Sequence, residues 1–106
     1  MKTIDYTKSF EKNLKTVKQY KGYKEKKLKD YISTLANGLK LPDAARDHSL
    51  SKASPKNLQG CRNFHLAPNI CVIYEISEST LLLRWIGSHN KLGLTEWVRE
   101  KLTLSI

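Results

Sequence analysis

The segment 59–89, QGCRNFHLAPNICVIYEISESTLLLRWIGSH, constrains this chain more than any other. Three runs with strand character follow one another in it: Cys61–Leu66, Ile70–Ile76 and Thr80–Gly87. The gaps between them, Ala67-Pro68-Asn69 and Ser77-Glu78-Ser79, are short enough for hairpins and are built from turn-forming residues. The spacing predicts three adjacent antiparallel strands. Val72, Ile73, Tyr74, Ile76 and Leu81–Leu83 are apolar on both parities, which predicts a central strand pair covered on both faces.

Upstream the period changes from two to about 3.6. Lys2–Tyr6 reads as a short strand with Ile4 and Tyr6 on one side. Thr7 or Ser9 can then cap a helix, because a hydroxyl oxygen accepts from the free amides of the first turn. Phe10, Leu14 and Val17 line one side of that helix, and Lys8, Lys12, Lys15 and Lys18 the other. Gly22 ends it. A second helix is predicted from about Tyr23 to Asn37, with an apolar stripe of Leu28, Tyr31, Ile32, Leu35 and Leu39. The two helices are expected to form a hairpin packed on the sheet. Leu41–Gln59 is a long connection rich in Ser, Pro, Lys and Asp, the kind of insertion that often carries function. Leu94–Leu104 reads as a C-terminal helix. The expected order is β-α-α-β-β-β-α, an α+β fold with an antiparallel sheet.

With 106 residues the chain is expected to be one domain, 1–106. No apolar run is long enough to span a bilayer, and MKTIDYTKSFEK has no hydrophobic segment after its first Lys. A cytoplasmic protein with no membrane partner is therefore expected. In that compartment Cys61 and Cys71 read as free buried thiols rather than a disulfide. A zinc site from Cys61, His65, Cys71 and His89 would match no standard finger spacing, so no metal or other cofactor is expected.

The formal charge is +9, and it is uneven: residues 1–40 hold 11 Lys against 4 acids, a net +7. Such a field draws polyanions, nucleic acid first, an acidic protein second and an anionic membrane surface a distant third. A merely solvated, Lys-rich helix face is the plainer alternative.

No Walker loop, GxGxxG, GxSxG or HExxH occurs. The groups able to move protons near neutral pH are His48 in the long connection, His65 at a strand end and His89 just past one. Cys61, Asn63 and His65 share one side of their strand. Pairing could bring His65 and His89 to one face, but sequence leaves the register open. Imidazoles on a basic surface suit RNA cleavage, in which a 2′-hydroxyl attacks the adjacent phosphate. A base takes the 2′-proton, an acid protonates the leaving 5′-oxygen, and cations stabilise the phosphorane.

Asp47-His48-Ser49-Leu50, then Gly60-Cys61-Arg62-Asn63-Phe64-His65-Leu66-Ala67-Pro68-Asn69, then Val72-Ile73-Tyr74 and Gly87-Ser88-His89, together resemble the YafQ branch of the RelE-like toxins. The resemblance implies a RelE-like fold and a toxin of a type II toxin–antitoxin system that cleaves messenger RNA in the ribosomal decoding site without a metal. Its implied partners are an acidic DinJ/RelB-like antitoxin, ribosomal RNA and mRNA. The toxin would be monomeric alone and heterotetrameric with its antitoxin. By position, His48, His65, His89 and Asn69 match the family's catalytic residues and Arg62 a motif arginine.

Three departures stand out. Asn69 replaces an Asp and Asn63 a motif acid. Trp85 stands where the family's catalytic Arg is expected, with Arg84 one place earlier. In a regular strand that single step puts Arg84 on the opposite face from Trp85. Expected RNA contacts are Arg62, Arg84, Trp85 (stacking on a base), Lys8, Lys12 and Lys15. Two rival readings share the fold: a ParE-like toxin acting on DNA gyrase, and an RNA-binding module that does not cut.

Overall fold

The structure, a computed structural model, describes residues 1–50 and 60–88. In chain order these form β1 (Thr3–Tyr6), α1 (Lys8–Val17), α2 (Glu25–Ala36), a 3-10 turn (Asp43–Ala45), β2 (His48–Ser49), β3 (Arg62–Ala67), β4 (Ile70–Ile76) and β5 (Thr80–Ser88). The class is α+β. His89 and the helix expected over Leu94–Leu104 lie outside the described residues.

Thr7 is the cap that starts α1: its Oγ1 accepts from the Phe10 amide at 3.1 Å. Gly22, at φ +92°, turns the chain between the helices in a conformation that a side chain disfavours. Asn37 closes α2, its Nδ2 donating to the Ser33 carbonyl at 2.9 Å.

The five strands run β1-β5-β4-β3-β2. β3, β4 and β5 form the antiparallel meander that the turn spacing predicts. The sheet as a whole is not antiparallel, which corrects that expectation: β1 pairs with β5 in parallel, Thr3 to Thr80 through Tyr6 to Leu83. Its chain leaves through two helices, and such a crossover permits parallel pairing. A second correction concerns the long connection. Its first part holds a 3-10 turn and a two-residue strand, with His48 opposite Asn63 and Ser49 opposite Arg62.

The helices cover one face of the sheet. Phe10, Val17, Leu28, Tyr31 and Leu35 pack there on Phe64, Leu66, Val72, Tyr74, Leu81, Leu83 and Ile86, all buried. The far face has a smaller cluster of Cys61, Ile73 and Trp85, with Leu50 against it. Both faces of the central strands are thus buried from Ile70 to Tyr74, as their apolar runs predict, but Ile76, expected in the covered run, is exposed and Leu82 only partly buried.

One irregularity changes which side chains share a face. Ile73 pairs with Trp85 while Tyr74 pairs with Leu83, so Arg84 is the extra residue of a β-bulge. Its guanidinium bonds the Glu75 carboxylate, which alternation puts on the Trp85 side. Arg84 and Trp85 are therefore on the same side of the sheet, against the expectation from a regular strand. The bulged carbonyl accepts from the Thr7 hydroxyl at 2.7 Å, tying the start of α1 to the bulge.

Candidate active site

Strand pairing assembles the site on the far face. Cys61, Asn63 and His65 alternate onto it along β3, and His48 joins because it pairs with Asn63. His48 and His65 are then diagonal neighbours, the second-closest relation two strands offer. Their ring centroids lie 6.5 Å apart and their planes 29° apart. In the same rows Cys71 pairs with His65 and with Gly87, and Ile73 pairs with Asn63 and with Trp85.

His48 is exposed, and its Nδ1 lies 2.7 Å from the Arg46 carbonyl oxygen. A carbonyl only accepts, so Nδ1 carries the proton and Nε2 is left to exchange one with a ligand. Arg46 sits at φ 51°, ψ 42°, a left-handed conformation that costs on the order of 1 kcal/mol for a residue with a side chain. The loop is clamped from the other side. Asp47 accepts from Tyr74 Oη at 2.8 Å and from Arg62 Nε at 3.1 Å. Burial and the Asp47 carboxylate push the Tyr74 phenol well above its usual range, so it remains a donor. Asp47 thus fixes the backbone on both sides of its peptide, and with it Arg46 and His48.

Beyond its two-residue pairing with β2, the outer edge of β3 opens into a groove of about 330 Å³. Its walls are Lys27 of α2, Ala44 of the 3-10 turn, Arg46 just after it, and His65, Leu66, Ala67 and Pro68. The Lys27 ammonium lies 5.6 Å from the centroid of the Tyr31 ring. Two cations and an imidazole thus share one opening.

The other expected site residues are placed differently. Asn69 stands at the β3–β4 turn and donates from Nδ2 to the Lys21 carbonyl at 3.3 Å, tying the hairpin tip to the connector between helices. Arg62 points to the helix-covered face with Tyr74, opposite His65. Trp85 is only 9 % exposed and has the surroundings of a core aromatic rather than of an open stacking platform. Its ring lies on Gly87, where an added Cβ would come within 2.5 Å of ring carbons. Lys8, Lys12 and Lys15 are exposed along α1. Among the described residues no three His, Cys, Asp or Glu side chains gather as metal ligands.

Over residues 2–94 the chain matches the family model for the bacterial toxin of the type II toxin–antitoxin system, YafQ. It belongs to the YafQ toxin family. Solved structures agree. A metal-bound toxin from Helicobacter pylori is 34 % identical at a TM-score of 0.73, covering 87 % of this chain and 99 % of that one. YafQ from E. coli strain BL21(DE3) is 26 % identical at a TM-score of 0.72, covering 88 % and 99 %. The toxin of the E. coli DinJ–YafQ complex is 32 % identical at 0.70, again covering 88 % and 99 %. No curated protein sequence matches significantly.

Sequence reasoning missed two residues that line the groove, Lys27 and Arg46. Arg46 stands two residues before His48, and antiparallel pairing of that segment would have put it opposite His65. Lys27 carries no local signal that separates it from the other lysines of α2. Only packing of α2 against the β3 edge selects it.

Proposed function

We propose that this YafQ-family chain is a ribosome-dependent mRNA endoribonuclease, held inactive in the cytoplasm by an acidic antitoxin. The observation that carries this reading is the pairing of His48 and His65 on one face beside a cationic groove. An acid and a base must reach the two oxygens on either side of a scissile phosphorus, each at roughly 2.6–3.2 Å. Imidazoles whose centroids are 6.5 Å apart are close enough for their edge nitrogens to address two oxygens of one phosphodiester. The tautomer held by the Arg46 carbonyl suits His48 to the transfer through Nε2. His65 takes the complementary role or orients the phosphate, and His89 is the third imidazole of the set. The products are a 2′,3′-cyclic phosphate and a 5′-hydroxyl, and the proton transfers need no metal. Asn69 acts here by position, keeping the hairpin tip against the helices.

Lys8, Lys12 and Lys15 would grip ribosomal RNA through phosphates, contacts that position without reading sequence and weaken steeply with salt. An acidic DinJ-like segment fits the same basic surface, as a partner that neutralises it. The toxin is expected as a monomer when free and as a heterotetramer with its antitoxin. The engaged Asn69 amide and the buried Trp85 favour one rival, an RNA-binding module that does not cut.

The test is a programmed-ribosome assay in which the 3′ ends of a defined messenger are mapped and their chemistry read. Wild type should leave cyclic phosphate ends within codons, and His48→Ala, His65→Ala and His89→Ala should each lose that product. Binding without cut ends, in wild type as in the variants, would establish the non-cutting reading instead.

A further inference from the structure

The arginines nominated by sequence are both neutralised, Arg62 by Asp47 and Arg84 by Glu75. Arg46 forms no ion pair with a carboxylate among the described residues, and neither does Lys27, although Lys26 and Lys29 on the same helix pair with Asp30 and Glu25. Other lysines of the described residues are also without a carboxylate, but the two cations that line the groove with His65 are both of this kind. Arg46 also touches the second histidine, its carbonyl oxygen 2.7 Å from His48 Nδ1. One residue thus serves both places: its carbonyl meets His48, and the residue lines the groove.

We propose that Lys27 and Arg46 form a phosphate clamp that holds one backbone phosphate of single-stranded RNA beside His65. This deepens the ribonuclease reading and rests on it for the consequence of binding, though not for binding itself. A guanidinium offers a planar fork to two phosphate oxygens, and an ammonium adds a compact charge from the α2 side. The exposed ring of Pro68, on the apolar side of the groove, takes the sugar that follows the phosphate. Arg62 and Arg84 are left with structural work, holding the His48 loop and the β5 bulge.

The clamp is tested with the full chain and a short single-stranded RNA carrying 2′-O-methyl groups throughout, which cannot be cut. Binding is followed by fluorescence anisotropy across a salt series. Lys27→Ala and Arg46→Ala should each weaken binding by about 3–10-fold. Each should also lower the slope of log affinity against log salt by about 0.7, the loss of one phosphate contact on a single strand. Arg46→Lys should recover part of the affinity. Lys26→Ala removes the same charge from the same helix and should change binding less than twofold. Equal effects of Lys26→Ala, Lys27→Ala and Arg46→Ala would overturn the clamp, as would a polyglutamate peptide that binds through these residues where RNA does not. Loss of cutting in His65→Ala, with both clamp variants binding and cutting like wild type, would remove the clamp and leave the nuclease. Clamp-dependent RNA binding without any cutting by wild type would leave the clamp and remove the nuclease.

Discussion

Phe64 and His65 are adjacent in sequence and look out of opposite sides of the same strand. Phe64 is fully buried among Tyr31, Tyr74 and the aliphatic side chains of the helix-covered face. His65 lies on the other side with His48, next to a groove of two uncompensated cations. The first face is apolar, aromatic and branched. The second alternates polar, small and flat side chains, Asn63, Cys71, Gly87 and Trp85 among them. A sheet covered on both sides still divides its labour: one face is packed with apolar side chains, and the other buries Asn63 and Cys71 but leaves His65 part-exposed and His48 exposed at its edge.

The sharpest break in this comparison is functional. His65→Ala should slow cleavage by roughly 10²–10⁴-fold, the usual worth of one acid–base group, while its thermal unfolding midpoint stays near that of wild type. Phe64→Ala should do the reverse, costing about 3–5 kcal/mol in denaturant unfolding. A protein in which both changes hit stability equally would erase the distinction between faces.

The same pair shows what was legible beforehand. Alternation alone puts residues 64 and 65 on opposite sides, and the three meander strands follow from their apolar runs and short turns. The α1 cap and both helices follow from hydroxyl placement and a 3.6 period. What stayed hidden was non-local or irregular. A two-residue strand such as β2 has no period, so nothing announced that His48 would pair with Asn63. The parallel docking of β1 on β5 joins residues 77 positions apart. The bulge at Arg84 depends on one skipped pairing, and it reverses the face assigned to that arginine. The selection of Lys27 and Arg46 over other cations rests on the groove that α2 and the 3-10 turn form with the β3 edge.

Gly87→Ala probes the far face by crowding. The new methyl would meet the Trp85 ring at 2.5 Å, and displacing that ring should cost about 1–3 kcal/mol. The strain should spread along the row that joins Gly87 through Cys71 to His65, so activity should fall along with stability.

Tyr74→Phe tests how the covered face holds the other one in place. Losing the hydrogen bond to Asp47 should cost about 1–2 kcal/mol at neutral pH and lower the cleavage rate through a loosened His48 loop. The pH dependence has a defined sign. The ordinary value of the phenol is 10.0, and burial with Asp47 raises it in the folded state. Below that value both states keep the proton and the contribution is intact. Above it the unfolded chain releases its proton first, so stability falls with rising pH. Wild type should therefore lose stability more steeply than Tyr74→Phe on the alkaline side, as followed by chemical denaturation at a series of pH values.

The smallest effect concerns Cys71. Burial pushes its thiol up to about 12, against the pull of a hydrogen bond from Asn63. The native protein should therefore resist alkylation at neutral pH, and reaction should appear only with unfolding. Rapid labelling of Cys71 in the native state would show the far face to be more open than its burial implies.

A double-mutant cycle on His48 and His65 addresses the central claim most directly, read as single-turnover cleavage of a messenger on programmed ribosomes. If the two imidazoles serve one phosphate, His48→Ala and His65→Ala should each remove most of the rate, and the double variant should be little worse than the poorer single. Independent, multiplying losses, or two single variants that cut as fast as wild type, would contradict it.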